Sequence, residues 1–79
     1  MKQNITTDNV HEIVSERIEE AMNQKGISQP MLAELSGLSQ AAVSLILNKK
    51  RSPSIRTLTK IANALETFVE NLIKIKKGG

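Results

Sequence analysis

The sequence contains no cysteine, tryptophan or tyrosine, and Phe68 is its single aromatic residue. Without cysteine the chain has no disulfide, no thiolate zinc site and no thiol nucleophile. The shortage of aromatic rings argues against binding to single-stranded nucleic acid, where bases stack on aromatic side chains. A nucleic-acid partner of this chain is therefore expected to be double-stranded.

Residues typical of enzymes are also scarce. His11 is the only histidine, and it has no cysteine or second histidine with which to share a metal ion. The chain has no glycine-rich phosphate loop and no nucleophile motif. The clustered acidic residues, Glu12, Glu16, Glu19 and Glu20, are typical of a solvated helix face. We therefore predict that the protein is not an enzyme and uses no metal or cofactor.

Long apolar segments are absent as well. No run approaches the roughly 18 residues needed to span a membrane, and the polar start MKQNITTDN does not look like a signal peptide. We expect a cytoplasmic protein that makes no membrane contact. The 79 residues predict one small domain over residues 9–77, with a flexible arm at residues 1–8 and a disordered tail at residues 78–79.

The first predicted helix starts at Asn9, which has capping-box spacing with Glu12, and runs to about Gln24. Apolar residues recur along it at helical spacing and form one stripe. The stripe consists of Val10, Ile13, Val14, Ile18, Ala21 and Met22. We expect this stripe to face the core.

Two short helices joined by a tight turn are predicted between residues 28 and 47. Ser28 is a candidate N-cap, and Gly37 can take the left-handed conformation that ends the first of the two helices. Ser39 then caps a second helix of about eight residues. Because the turn is so short, the two helices are expected to cross steeply.

The second of these helices has two distinct faces. Val43 and Ile46 lie on the predicted inner face, and the outer face carries Gln40, Ala41, Ser44 and Leu45. This pattern is typical of a helix-turn-helix, which presents its second helix to the major groove of DNA. The alternative is an ordinary helical hairpin that only packs.

The charge distribution favours the DNA interpretation. Residues 1–38 contain three basic and six acidic residues, whereas residues 39–79 contain eight basic and two acidic ones. The modest net charge of +3 therefore hides a strongly polarised chain. Its positive half begins at the candidate recognition helix, as expected for a surface that binds phosphates.

Two further helices are predicted after the basic segment NKKRSPS. Ser54 caps the fourth helix, whose predicted buried residues are Ile55, Leu58, Ile61, Ala62 and Leu65. Thr67 and Glu70 have capping-box spacing, which predicts a fifth helix from Phe68 to about Lys76. Because no Gly or Pro separates Leu65 from Phe68, fusion of the two helices is the alternative.

The whole pattern resembles the XRE family, the phage repressor and Cro type of DNA-binding domain. The matching segments are KGISQ, LAELSGLS, AAVSLI and RSPSIRTLTKIANAL. The resemblance implies a compact, all-α, five-helix lambda-repressor-like domain in which helices 2 and 3 form the helix-turn-helix. It also implies sequence-specific binding to double-stranded DNA by a transcriptional regulator, either a repressor or an autoregulator.

The sequence departs from the XRE pattern at three places. The family often has a buried Arg–Glu ion pair at the positions of Met22 and Leu47, so we expect these two apolar side chains to touch. Lys49 stands at the usual glycine after the recognition helix, and Asn48 is expected to take the left-handed conformation instead. The loop between helices 4 and 5 is shorter than usual, with Glu66 in place of the common Gly.

The predicted DNA contacts are of two kinds. Bases are expected to be read by Gln40, Ala41, Ser44 and Leu45. The sugar-phosphate backbone is expected to be bound by Gln29, which matches a phosphate contact of the family, together with Ser39, Asn48, Lys49, Lys50, Arg51 and Arg56.

A homodimer on a palindromic operator is expected, since one small domain makes few base contacts. The predicted dimer surface consists of Phe68, Val69, Leu72 and Ile73, although these side chains could instead all belong to the core. No small-molecule effector site is evident. The competing function is a protein-binding adaptor, such as the antitoxin of a toxin-antitoxin pair, built on the same fold.

Overall fold

The computed structural model describes the backbone of residues 7–73 and the side-chain environments of residues 13–73. Over this part of the chain the fold is entirely helical. Its elements are α1 (Thr7–Lys25), α2 (Gln29–Ser36), α3 (Gln40–Leu47), α4 (Ile55–Ala64) and α5 (Val69–Ile73). The prediction of an all-α, five-helix domain is confirmed.

The start of α1 differs from the prediction. The helix begins at Thr7 rather than Asn9, so Thr7 and Asp8 belong to α1. Neither threonine nor aspartate is a helix breaker, and the helix dipole favours an acidic residue type in the first turn. The rest of the predicted arm and the predicted tail lie outside the described residues.

The core is built around α1 and α2. The α1 helix packs against α3 and α5, α2 packs against α3 and α4, and α4 packs against α5. The buried apolar side chains are Val14, Ile18, Met22, Leu32, Ala33, Val43, Ile46, Leu58, Ile61, Ala62, Leu65 and Leu72. Each of the five helices thus contributes at least one side chain to a single core cluster.

Ile55 does not join this core, which corrects the prediction for α4. Its side chain is 68% exposed. Ile55 is the first residue of α4 and directly follows the exposed N-cap Ser54. Helical spacing placed it on the buried face, but no element among residues 7–73 covers the start of the helix.

The two positions that replace the family ion pair both belong to the apolar interior. Met22 is 5% exposed and lies in the core cluster, while the half-buried Leu47 packs against that cluster. A buried ion pair at these positions would lose the hydration of both charges, and the attraction between them would have to offset that loss. Two apolar side chains avoid this desolvation cost. A direct contact between the two side chains stays a prediction.

The predicted helix-turn-helix geometry is confirmed. Ser28 accepts a hydrogen bond from the Met31 N–H, Ser39 accepts one from the Ala42 N–H, and Gly37 has a φ of 78°. The directions of α2 and α3 differ by 118°. Among the described helices, no single one is long and apolar enough to cross a membrane, and the strongly bent α2–α3 pair passes that test only when both helices are combined.

The residue in the left-handed conformation after α3 is Lys49. The prediction that Asn48 takes this conformation was wrong. Lys49 has a φ of 63°, whereas Asn48 keeps a φ of −87° and a ψ of 8°. The Lys50 N–H donates to the Leu45 carbonyl at 2.8 Å and the Lys49 N–H to the Ile46 carbonyl at 3.1 Å. This pair of bonds is a Schellman motif, and it requires the left-handed conformation one residue after the cap Asn48.

The end of α4 repeats this motif with a second residue that is not glycine. Glu66 has a φ of 56°. Its N–H donates to the Asn63 carbonyl at 3.1 Å, and the Thr67 N–H donates to the Ala62 carbonyl at 2.9 Å. The motif separates α4 from α5, which confirms two helices rather than one. Helix α5 begins at Val69, and its predicted continuation to Lys76 lies outside the described residues.

The substitution Glu66→Gly is expected to raise the free energy of unfolding by about 0.5–1 kcal/mol. A left-handed conformation costs an L-residue about 1–2 kcal/mol, and glycine removes this cost from the folded state. Part of the stabilisation is lost again, because glycine also raises the conformational entropy of the unfolded chain. Urea unfolding followed by circular dichroism measures the change.

Gly37→Ala is the matched control for this prediction. A Cβ at Gly37 meets no atom within 4 Å, so only the φ of 78° opposes the alanine. This variant is expected to lose about 1 kcal/mol. A loss of stability in Glu66→Gly would contradict the assigned cost of its left-handed backbone.

Candidate nucleic-acid interface

Helix α3 presents its predicted reading face away from the core. Val43 and Ile46 are 1% and 2% exposed and hold the helix against α1 and α2. On the opposite side, Gln40 and Ala41 are exposed and Ser44 and Leu45 are half-buried. The structure therefore brings the four predicted base-reading residues together along one side of α3.

Gln40 lies at the exposed start of this face. It is the first residue of α3 and directly follows the N-cap Ser39, whose hydroxyl oxygen accepts from the Ala42 N–H at 3.0 Å. An open cleft of about 510 Å³ adjoins it, lined by Pro30, Met31, Ala33, Glu34, Leu38 and Gln40. The amide of Gln40 is therefore accessible to an incoming ligand.

Ser44 is oriented by a neighbour one turn further along. The Asn48 side-chain amide donates a hydrogen bond to the Ser44 hydroxyl oxygen over 3.1 Å. This bond occupies one lone pair of the hydroxyl and leaves its proton available to donate. Asn48 keeps a second N–H on the same nitrogen, so its predicted contact with a phosphate stays chemically possible.

A basic segment, Lys49 to Arg51, continues directly from the end of α3. Its three side chains are exposed. The N–H groups of Lys50 and Arg51 donate to the Leu45 carbonyl at 2.8 Å and 3.2 Å. These bonds fix the backbone of the basic segment relative to the reading face. Arg56, also exposed, is the second residue of α4.

Lys49 is already paired within the protein. Its Nζ lies 3.3 Å from Oε2 of Glu16, and both side chains are substantially exposed, at 40% and 66%. An exposed pair of this kind contributes little to stability. A DNA phosphate at Lys49 would therefore compete with the carboxylate of Glu16 for the ammonium group.

The remaining predicted backbone contacts lie at helix N-termini. Gln29 is the exposed first residue of α2. Pro30 has no N–H, and the Met31 N–H donates to Ser28. The donors that Gln29 offers an anion are therefore its own backbone N–H and its side-chain amide. Ser39 is exposed, and because its oxygen accepts the capping bond, its proton is available to donate to a phosphate. The structure thus keeps Gln29 and Ser39 accessible.

The predicted dimer surface is only partly available. Phe68 is 72% and Ile73 is 42% exposed, while Val69 is half-buried and packs against the core cluster. Leu72, in contrast, is 2% exposed and belongs to the core of its own chain. Leu72 is therefore removed from the predicted interface, because its side chain points inward from α5.

Sequence reasoning missed the contacts that α1 makes with the end of α3. The Ser15 hydroxyl donates to the Ile46 carbonyl at 2.6 Å, and the neighbouring Glu16 pairs with Lys49. The sequence did contain a signal for the Ser15 contact. Ser15 directly follows Val14 of the apolar stripe, and a polar side chain that is buried next to such a stripe needs a hydrogen-bond partner. Within the described part of the chain, no group of three or more metal-ligating side chains could hold a metal ion.

Comparisons with known proteins agree with this geometry. The helix-turn-helix family model HTH_3 matches residues 18–67, which include α2, α3 and α4. The control protein C.SmaI of Serratia marcescens is 34% identical over 64 residues, which cover 81% of this chain and 76% of that protein. The transcriptional regulator PuuR of Escherichia coli is 49% identical over 45 residues, which cover 57% of this chain but 24% of PuuR.

Solved structures show the same fold. The restriction-modification controller protein C.AhdI of Aeromonas hydrophila superposes with a TM-score of 0.74 at 33% identity, covering 85% of this chain and 98% of C.AhdI. An HTH_3 family transcriptional regulator of Vibrio cholerae gives a TM-score of 0.81 at 28% identity, with 85% of this chain and 38% of that protein covered.

These relatives are regulators and controller proteins rather than enzymes. The family match extends over more than half of the chain, and it covers the helix pair whose caps, turn and crossing angle were described above. The chain therefore belongs to the HTH_3 helix-turn-helix family, the XRE type, and is a DNA-binding transcriptional regulator.

Proposed function

We propose that α3 enters the major groove of DNA and reads base edges with Gln40, Ala41, Ser44 and Leu45. One observation carries the proposal: the side of α3 opposite its buried residues is accessible, and the exposed basic segment is hydrogen-bonded to the same helix. A major groove about 12 Å wide admits a helix in this manner. Phosphates then lie on either side of the helix, within reach of cations at its end.

The chemistry of the reading face favours A·T pairs. The Gln40 amide can bond to N6 and N7 of adenine at once, and Ala41 and Leu45 offer apolar surface to a thymine methyl group. Ser44, with its oxygen occupied by Asn48, donates to an acceptor on a base edge, such as adenine N7 or thymine O4. We expect A·T pairs in each half-site.

Binding to the sugar-phosphate backbone is assigned to exposed residues around this face. They are Gln29, Ser39, Asn48, Lys49, Lys50, Arg51 and Arg56. The cations supply affinity without sequence preference, and the helix N-terminus at Gln29 adds donors for a further phosphate. Together these contacts fix the orientation of α3 in the groove.

We further propose a homodimer on a palindromic operator, acting as a repressor or autoregulator. Among residues 66–73, Phe68 and Ile73 are exposed apolar side chains, and Val69 is half-buried. Two copies joined through these side chains would present two α3 helices to half-sites about one helical turn, roughly 34 Å, apart. Dimer formation doubles the number of base contacts.

Selection of bound sequences from a random pool of duplex DNA tests the proposed function. The expected result is an enriched palindrome with A·T pairs in both half-sites. Its spacing and symmetry report the arrangement of the two recognition helices. Absence of any enriched sequence at low salt would contradict sequence-specific reading.

The substitution Gln40→Ala is expected to weaken binding to the enriched operator by about 1–3 kcal/mol, with little change on random duplex. The reason is the loss of two hydrogen bonds to one base, which leaves the phosphate contacts intact. Fluorescence anisotropy with labelled duplexes measures both affinities.

Gln24→Ala is the matched control, because Gln24 is exposed in the last turn of α1 and has no predicted DNA contact. The control is expected to bind both duplexes like the wild type. If Gln40→Ala weakens operator and random duplex equally, Gln40 does not read a base.

A further inference from the structure

The buried hydroxyl of Ser15 links α1 to the end of the recognition helix. Ser15 is 2% exposed and lies between the core residues Val14 and Ile18. It donates to the Ile46 carbonyl at 2.6 Å, across 31 positions of sequence. A buried polar group in an apolar core loses its water, so its hydrogen bond within the protein is costly to break.

The acceptor of this hydrogen bond lies in the last turn of α3, directly before the basic segment. The Ile46 carbonyl is among the last four of the helix, which have no partner further along the same helix. It also accepts the Lys49 N–H in the motif that ends α3. Ser15 therefore holds the turn from which the basic segment emerges.

The other contacts of α3 with the core are less directional. Val43 and Ile46 pack through apolar surface, which resists separation but has no preferred direction. A hydrogen bond has a preferred length and angle, so the Ser15 bond restricts sliding and rotation of α3 against α1. The Glu16–Lys49 pair on the same side is exposed and adds little restraint.

A small tilt at Ile46 is amplified at the reading end. Gln40 lies six residues away, or about 9 Å at the helical rise of 1.5 Å per residue. A tilt of about 10° around Ile46 moves Gln40 by roughly 1.5 Å, which breaks a hydrogen bond that tolerates a few tenths of an ångström.

We propose that Ser15 is a positioning residue for base recognition: by holding the Ile46 carbonyl, it sets the angle at which α3 enters the major groove. This inference rests on the proposed reading role of α3. It assigns to a buried α1 residue, which touches no DNA, a share of the sequence specificity.

The first test compares Ser15→Ala with Ile61→Val. Ile61 is 1% exposed in α4, which packs on α2 and α5, so its variant removes a buried methylene group without changing the Ser15–Ile46 bond. Affinities are measured for the operator enriched from the random pool and for random duplex. Ser15→Ala is expected to lower the operator-to-random affinity ratio about tenfold, near the low end of the contribution of one base contact. The ratio for Ile61→Val is expected to equal that of the wild type.

The second test uses amide hydrogen exchange of the free protein. Ser15→Ala is expected to reduce the protection of α3 amides at least fivefold relative to α4 amides, because the end of α3 is released locally. Ile61→Val is expected to leave that relative protection of α3 unchanged.

The two tests separate the inference from the proposed function. An unchanged affinity ratio in Ser15→Ala, or an equal loss of protection in α3 and α4, overturns the positioning role. If the wild type enriches no operator, base reading by α3 fails, while the exchange measurement still decides whether Ser15 holds the helix.

Discussion

Replacing Lys50, Arg51 and Arg56 together by glutamine is expected to weaken binding to every duplex by about 500-fold for each bound subunit at 0.1 M salt. Each phosphate contact releases about 0.9 counterion. One such contact therefore raises affinity roughly eightfold when the salt concentration falls from 1 M to 0.1 M. The side chains are exposed around the end of α3 and the start of α4, and none of them forms an ion pair with another side chain of residues 13–73. The expected loss is the same for operator and random duplex.

The salt dependence of affinity measures this effect. The slope of log affinity against log salt is expected to be shallower by about 2.7 for each bound subunit. Lys25→Gln combined with Lys60→Gln is the control, because both lysines are exposed and neither has a predicted DNA contact. An equal change of slope in this control would contradict a localised phosphate-binding surface.

The substitution Phe68→Asp is expected to convert the protein to a monomer and to reduce operator affinity by at least 100-fold. An aromatic side chain that is 72% exposed in the isolated chain becomes buried in the proposed dimer, where a carboxylate is strongly disfavoured. Joining two half-site readers raises their combined affinity by about 10²–10⁴-fold, and a monomer loses this gain. Analytical ultracentrifugation at micromolar concentration and anisotropy on the operator measure the two effects.

Leu35→Asp provides the control for assembly. Leu35 is 57% exposed on α2, outside the predicted dimer surface. This variant is expected to sediment like the wild type. A wild-type protein that is monomeric both free and on DNA would contradict the dimer, as would a Phe68→Asp variant that remains dimeric.

The helix boundaries in the middle of the chain were predictable because their signals are local. Ser28, Ser39 and Ser54 each cap the following helix, and Gly37 ends α2 in the left-handed conformation. Each signal acts within one turn of the chain and needs no knowledge of distant residues. The helix-turn-helix followed from these caps together with the periodicity of the apolar residues.

Features that depend on neighbouring elements were harder to predict. Asn48 is the better left-handed residue by intrinsic preference, yet α3 runs through Leu47 and so places Lys49 after the cap. Likewise, helical spacing could not tell that Leu72 is covered by the rest of the core while Ile55 and Phe68 are left exposed.

For the reading face, too, the local features were predictable and the contacts with distant residues were not. Which residues lie on the outer side of α3 followed from helical spacing, and the structure keeps them accessible. The contacts that set the helix from behind, Ser15 to the Ile46 carbonyl and Glu16 to Lys49, join residues more than 30 positions apart. No local pattern specifies such a pairing, because it depends on how α1 packs against α3.

Single-atom substitution of the operator tests most directly whether Gln40 reads an adenine in the major groove. Each adenine is replaced in turn by 7-deazaadenine, which removes the N7 acceptor and preserves base pairing. The wild type is expected to lose about 0.5–1.5 kcal/mol of affinity at one adenine in each half-site, the contribution of one of the two hydrogen bonds, whereas Gln40→Ala is expected to lose none at that position. Equal losses in the two proteins, or a wild type insensitive at every adenine, would contradict the claim.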